Sequence, residues 1–239
     1  MPATSVRPAA FRFSELPATP DLPRPATPSQ TTQPACPLPP LDAMTLHPDD
    51  LPDFTLLFAD AAAHTNAAIA ARSDDPLRRR RRLDEWGRID GFAVRYVPDG
   101  CRGGFAVPIV VDSSVARFSR GAGAQLALTD DLAYDDLPNA RRLFPRNIAD
   151  NTECVHMLFE EDGVRFALYR VDFRVQNIVG SVGVVWRWPH GGPIQALKLA
   201  ERQVSRIRTA LRFESGVAAR SSSRPVERKE RQLSVIGEA

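Results

Sequence analysis

Apolar and polar residues alternate with a period of two along residues 169–186, YRVDFRVQNIVGSVGVVW. That period places successive side chains on opposite faces of a β-strand. The pattern breaks around Val175-Gln176, so 164–174 and 177–188 read as two arms of a hairpin. Upstream, 154–159 joins them through the acidic, glycine-ended turn Glu160-Glu161-Asp162-Gly163. The result is an antiparallel meander. Residues 89–97 give an earlier strand with Phe92, Val94 and Tyr96 on one face. Residues 105–118 give a longer one, bent at Pro108 and at Ser113-Ser114.

Helical periodicity separates these strands. Residues 49–57 read as a turn entering an extended apolar segment, and the alanine-rich stretch 61–71 predicts a helix. Ser73-Asp74-Asp75-Pro76 is a helix start, with proline in the first helical position and carboxylates at the positive end of the dipole. The helix it opens carries Arg78, Arg79, Arg80, Arg81 and Arg82 and ends near Trp86-Gly87. A further helix over 123–133 is expected to bury Leu126, Leu128 and Leu132, followed by a loop over 135–151. Gly192-Pro193 opens a final amphipathic helix over 194–212. Its stripe of Ile194, Leu197, Val204, Ile207 and Leu211 predicts docking on the sheet, with Glu201, Arg202 and Arg206 lying away from it. These elements predict an α+β domain, an antiparallel sheet of about five strands with flanking helices.

Proline placement sets the domain limits. Twelve of the 21 prolines fall within residues 1–48. Proline fixes φ and removes a backbone donor, so residues 1–47 are expected to be a disordered proline-rich tract acting as a spacer. The domain then spans 48–212, and 213–239 is expected to be a flexible charged tail.

Charge changes the picture little. The net charge of +2 implies no polyanionic partner, and only Lys198 and Lys229 among the 31 basic residues are lysine. The five-arginine run cannot share one helix face, because each residue turns about 100° from the last. It lacks the interleaved Asn, Gln or aromatic residues of a groove reader. A solvated, ion-paired helix is the favoured account, and a basic surface for nucleic acid or anionic membranes is the alternative.

Candidate chemistry is sparse. His47, His64, His156 and His190 show no i, i+4 pairing with one another or with cysteine, so no metal pair is expected. Ser113, Ser114 and Ser181 lack a nucleophile elbow. Gly121-Ala122-Gly123 reads as a strand-to-helix loop, since a third glycine and a βαβ setting are missing. Cys36, Cys101 and Cys154 show no metal-ligand spacing, which leaves open one bridge between Cys101 and Cys154. Trp186 and Trp188 stand two apart on a strand, hence on one face, where they either cover the core or close over a ligand. No cofactor and no catalytic residue is implied.

The order of Trp86-Gly87-Arg88-Ile89-Asp90-Gly91-Phe92, Ser113-Ser114-Val115, Tyr169-Arg170-Val171-Asp172-Phe173, Asn177-Ile178-Val179 and the closing helix resembles a set of uncharacterised bacterial proteins. Those have a PsbP-like or Mog1-like fold and are often extracytoplasmic, with a Pro/Thr-rich linker after a signal or lipid anchor. The resemblance implies a sheet flanked by helices and carries over no site residue. Residues 1–35 contain no continuous apolar core, and Gln33-Pro34-Ala35-Cys36 is a poor lipobox. A cytoplasmic location is expected for the chain as written, or an extracytoplasmic one if an upstream segment precedes it. No apolar run reaches the roughly 20 residues a bilayer requires.

The reading that follows is a non-enzymatic binding or accessory module on a proline-rich linker, taking a protein or a small apolar ligand. The alternatives are a nucleic-acid or anionic-surface binder using the arginine run, and an enzyme with an unfamiliar site.

Overall fold

The structure is a computed structural model that describes residues 39–51, 56–98, 107–131, 139–143 and 145–222, with side chains described except at 56–57, 131 and 213–222. Most of the proline-rich tract, the turn over 99–104 and the tail over 223–239 lie outside the described residues.

Among the described residues, seven strands form one antiparallel sheet: β1 (Leu56–Ala63), β2 (Arg88–Pro98), β3 (Val110–Phe118), β4 (Ala140–Leu143), β5 (Asn151–Glu161), β6 (Val164–Val175) and β7 (Ile178–Arg187). Their order is β1-β2-β3-β7-β6-β5-β4. The predicted meander is present, with Cys154 opposite Val171 and Val171 opposite Val182.

Seven strands replace the expected five or so, and the two additions have one cause. β1 is LLFADAAA, whose alanines favour a helix in isolation; pairing along β2 overrides that propensity, with a register shift between Phe58 and Asp60. β4 is the short ARRL segment inside the expected 135–151 loop, and it is a strand because it pairs with residues 154–157 of β5. Both lie at the edges, where tertiary pairing carries no sequence period.

Among the described residues, four α-helices accompany the sheet: α1 (Asn66–Ala70), α2 (Pro76–Glu85), α3 (Gly121–Asp131) and α4 (Pro193–Ser222). The start of α2 is as expected, with Pro76 in the first turn and the Asp75 carboxylate accepting from the Arg78 amide at 3.0 Å. In α3 Gly123, Ala124, Ala127 and Leu128 are buried, whereas Leu126 is exposed; Leu132, also expected to be buried, lies outside the described residues. Gly121 and Gly123 form the first turn of α3 itself, not a loop before it. A Cβ on Gly123 would stand 1.8 Å from the Trp86 carbonyl oxygen, so glycine lets the helix pack against that backbone.

Side chains of alternate parity divide the core between the two sheet faces. One face carries Val94, Tyr96, Val111, Val171, Phe173, Val182, Val184 and Trp186, packed with Leu199, Val204 and Ile207 of α4. The other carries Ala116, Phe118 and Val179, packed with Ile69, Leu83, Trp86, Ala124 and Ala127 of α1, α2 and α3. The sheet is therefore sandwiched between α4 and the group α1–α3.

The expected stripe on α4 needs rotation. Ala196, Leu199, Ala200, Gln203, Val204 and Ile207 are buried, Leu197 and Leu211 only partly, and Ile194 is 64% exposed. Its helix runs ten residues past the expected end, so 213–222 are helical. Nor do Arg202 and Arg206 face open solvent: they bind the Asp50 carbonyl and carboxylate.

The N-terminal limit also shifts. Leu41, Met44, Leu46 and Leu51 are buried in the α4-side core, around two 3-10 turns, Asp42–Met44 and Pro48–Asp50. Proline spacing marked the end of the tract, yet these apolar residues between the prolines are structural.

Candidate functional site

On the face opposite α4, the strand pattern departs from what a packed core calls for. Glu153, Asp172, Ser181 and Ser114 occupy one cross-strand row over β5, β6, β7 and β3. Two residues along β6, on the same face, stands Arg170. Polar side chains thus sit beneath the helical layer, where alternate apolar positions would fill the space.

The space is a cleft of about 480 Å³. Its floor comprises Ser114, Ala116, Val179, Ser181, Arg170 and Asp172; Ile69, Leu83 and Trp86 form one wall, and Ala127, Leu128 and Asp130 of α3 another. Asp172 is only 3% exposed. Its Oδ1 accepts from Arg170 Nε at 2.9 Å, and the same Nε also reaches Ser181 Oγ at 3.0 Å. Oδ2 is enclosed and has no hydrogen-bond partner among the described residues. A carboxylate oxygen left without a donor in the interior is costly, on the order of 1–3 kcal/mol.

His64 and Arg88 close another side of the cleft. Arg88 Nη1 donates to the His64 carbonyl at 3.0 Å and to Asn66 Oδ1 at 2.8 Å. Burial holds the His64 pKa below its ordinary value, and the nearby Arg72 and Arg88 charges add to that effect against the opposing Asp60. The imidazole is therefore neutral at physiological pH, able to donate from one nitrogen and accept at the other.

The arginine run lies beside this cleft and is largely committed to structure. Arg79 and Arg82 both bind Asp130 of α3, at 2.9 and 2.7 Å, and the Arg79 guanidinium lies 5.5 Å from the Trp86 ring centroid. Arg80 approaches Asp84 at 3.6 Å. Arg78 and Arg81 are exposed. Asp130 lies about fifty residues from the run and meets it only through the fold.

The two tryptophans stand in different surroundings. Trp186 is buried on the α4 face, with its ring against Gly191, where a Cβ would fall 2.2 Å from the ring. Trp188 follows the end of β7, is 36% exposed, and borders a shallow groove with Val164, Arg165 and Pro189. Trp86, read from sequence as the end of a helix and the start of the resemblance motif, lines the cleft.

Cys154 is a free, buried thiol on the α4 face, and Cys101 lies outside the described residues. Among the described residues no three His, Cys, Asp or Glu side chains gather closely enough to hold a metal ion. No helix among them is long and apolar enough to cross a membrane.

No family model matches the chain, and no curated protein matches it significantly. Among solved structures, it is similar to the extracellular domain of PknH from Mycobacterium tuberculosis, at 9% identity and a TM-score of 0.42, over 69% of this chain and 95% of that one. A structure from Bacteroides thetaiotaomicron VPI-5482 matches at 13% identity and a TM-score of 0.30, over 45% of this chain and 35% of that one.

Proposed function

We propose that this chain is a non-enzymatic small-ligand-binding module carried beside a proline-rich tract, and that the cleft between the sheet and α1–α3 is its binding site. The observation that carries this reading is a cleft of about 480 Å³ lined by apolar side chains together with a few polar ones. That volume lies within the roughly 300–1,000 Å³ of small-molecule sites, which combine apolar lining with a few placed polar groups. The arginine run is the weaker candidate for a binding surface, because Arg79 and Arg82 already share Asp130. A PsbP-like or Mog1-like kinship is part of this proposal.

The test uses N-phenyl-1-naphthylamine, a neutral fluorescent probe, with the full chain. Its fluorescence should rise on binding, and Ala116→Leu, which grows a side chain into the cleft, should weaken binding severalfold. Thermal unfolding establishes that the variant is folded. Equal binding by wild type and folded Ala116→Leu would move the site elsewhere.

A further inference from the structure

We infer that a second groove, between α4 and the segment over 146–148, binds the dianionic phosphate group of a small phosphate monoester. It shares no lining residue with the cleft beneath α1–α3, so this inference and the function proposed above stand or fall separately.

The groove has a volume of about 450 Å³, within the range of small-molecule sites. Ser205, Arg208, Thr209 and Arg212 line it from α4, and all four are exposed. Their spacings of three and four residues set them side by side on one stripe of the helix. Arg146, Asn147 and Ile148 line the groove from outside the helix. That segment is held in place. Ile148 packs partly buried against the core, and its amide donates to Thr152 Oγ1 at 3.1 Å. Arg208 Nη2 donates to the Ile148 carbonyl at 3.3 Å, which ties its guanidinium to the far side of the groove.

Charge decides what such a groove takes. The lining holds three guanidinium groups and one carboxylate, Glu201, and Arg146 is already paired with that carboxylate. Arg208 meets a carbonyl and no carboxylate among the described residues, and Arg212 makes no hydrogen bond or ion pair with any of them. Like charges four residues apart on a helix repel one another. An anion seated between Arg208 and Arg212 relieves that repulsion. A phosphate monoester carries close to two negative charges near neutral pH and presents three acceptor oxygens. Three arginines less one glutamate leave a surplus of two positive charges, which matches it. Guanidinium forks donate paired bonds to phosphate oxygens, and the Ser205 and Thr209 hydroxyls supply further donors. An apolar ligand finds little here, since Ile148 and Val204 are the only aliphatic lining residues.

Phenyl phosphate and phenyl sulfate have nearly the same shape, but near pH 8 the phosphate carries about two negative charges and the sulfate about one. Each is titrated against the full chain at low ionic strength, with calorimetry as the readout. Phenyl phosphate should bind with a Kd below about 1 mM, and at least about fivefold tighter than phenyl sulfate. The double variant Arg208→Gln and Arg212→Gln should weaken phenyl phosphate binding at least about tenfold. The double variant Arg78→Gln and Arg81→Gln removes the same charge from exposed positions on α2, and should stay within about twofold of wild type. Thermal unfolding establishes that each variant is folded. Should the α4 variant fail to fold, Glu201→Gln decides in its place: releasing Arg146 should tighten phenyl phosphate binding about threefold. Absence of phenyl phosphate binding by wild type overturns the inference, and so do equal affinities for the two esters. Equal losses in the two arginine variants would assign the binding to overall charge and overturn the groove. Unchanged or weaker binding in Glu201→Gln would do the same.

Discussion

The Tyr96 hydroxyl donates to the Leu46 carbonyl at 2.8 Å across fifty positions of sequence, in a buried setting. The amide of Leu46 in turn donates to Ser113 Oγ at 3.0 Å. One backbone unit of the segment preceding the domain is thus held at both its polar groups by β2 and β3. Around it, Met44 and Leu46 are fully buried, and Arg117 Nη2 reaches the Pro39 carbonyl at 2.6 Å. On the other side, Arg202 and Arg206 of α4 bind Asp50. The segment over 39–51 is a strap between sheet and terminal helix.

A chain beginning at His47 should therefore be strongly destabilised or insoluble, whereas one beginning at Pro39 should retain a cooperative transition. Removing one buried leucine side chain typically costs about 2–5 kcal/mol, and the shorter chain loses Leu41, Met44 and Leu46 together. Tyr96→Phe isolates the hydrogen bond and should cost about 1–3 kcal/mol, because the Leu46 carbonyl would remain buried without its donor. Urea denaturation of these chains checks both statements. Equal stability of the two truncations would show that the strap is not structural.

The buried face of α4 gives a second contrast. Leu199 is 2% exposed and Ile194 is 64% exposed. Leu199→Ala should cost about 2–5 kcal/mol, while Ile194→Ala should stay within about 0.5 kcal/mol of wild type. Thermal or chemical unfolding reads the difference. Similar losses at both positions would mean that the helix presents another face to the sheet.

Legibility in sequence followed the strength of local signals. The meander of β5–β7 was readable because strict alternation fixes both strand and register. The start of α2 was readable because Asp75 and Pro76 act within one turn. The edge strands were not, since Ala61, Ala62 and Ala63 carry no strand preference and pair only because β2 lies beside them. On α4 the largest apolar residues make the stripe visible in sequence, while the structure buries Ala196, Ala200 and Gln203 as well. Gln203 is there for a specific bond, its Nε2 donating to the Ser114 carbonyl at 2.9 Å. The cleft was least legible. Ser114, Asp172 and Ser181 acquire meaning only when three strands place them in one row, and one local signal could have pointed there: polar residues recurring within otherwise apolar strands.

Asp130 holds Arg79 and Arg82, with all three side chains partly exposed. Asp130→Asn should cost no more than about 1 kcal/mol, with a smaller difference at high salt. Releasing these arginines should also strengthen binding to DNA. The wild-type chain should bind duplex DNA no tighter than about 10 μM at physiological ionic strength, and the variant measurably tighter. Fluorescence anisotropy with labelled duplex reads both. Tight wild-type binding that falls steeply with salt would promote the arginine surface over the cleft.

The Cys154 thiol should be inert in the folded protein. Burial pushes its pKa up to about 11, and the Asp172 charge contributes in the same direction. The thiolate is the reactive form, and little of it is present at pH 8. Iodoacetamide labelling mapped by peptide mass spectrometry should leave Cys154 unmodified until denaturant is added. Rapid modification under native conditions would contradict its burial.

His156 makes stability depend on mild acid. Its ring stacks on Tyr169 with centroids 4.8 Å apart, and its buried Nε2 has no partner among the described residues. Burial lowers its pKa below the ordinary 6.5, and Arg141, directly opposite on β4, lowers it further. The unfolded chain therefore binds this proton more readily than the folded one. Above pH 6.5 both states are mostly neutral and the group has little effect. As pH falls through 6.5 the unfolded chain protonates first, so stability is lost until the folded-state pKa is passed. His64 acts in the same direction, through burial and its neighbours Arg72 and Arg88. Urea midpoints should fall between pH 8 and pH 5. In His156→Phe, where an aromatic ring keeps the stacking surface on Tyr169, part of that fall should disappear while the high-pH midpoint changes little. An identical pH profile in the variant would assign the acid sensitivity to other groups.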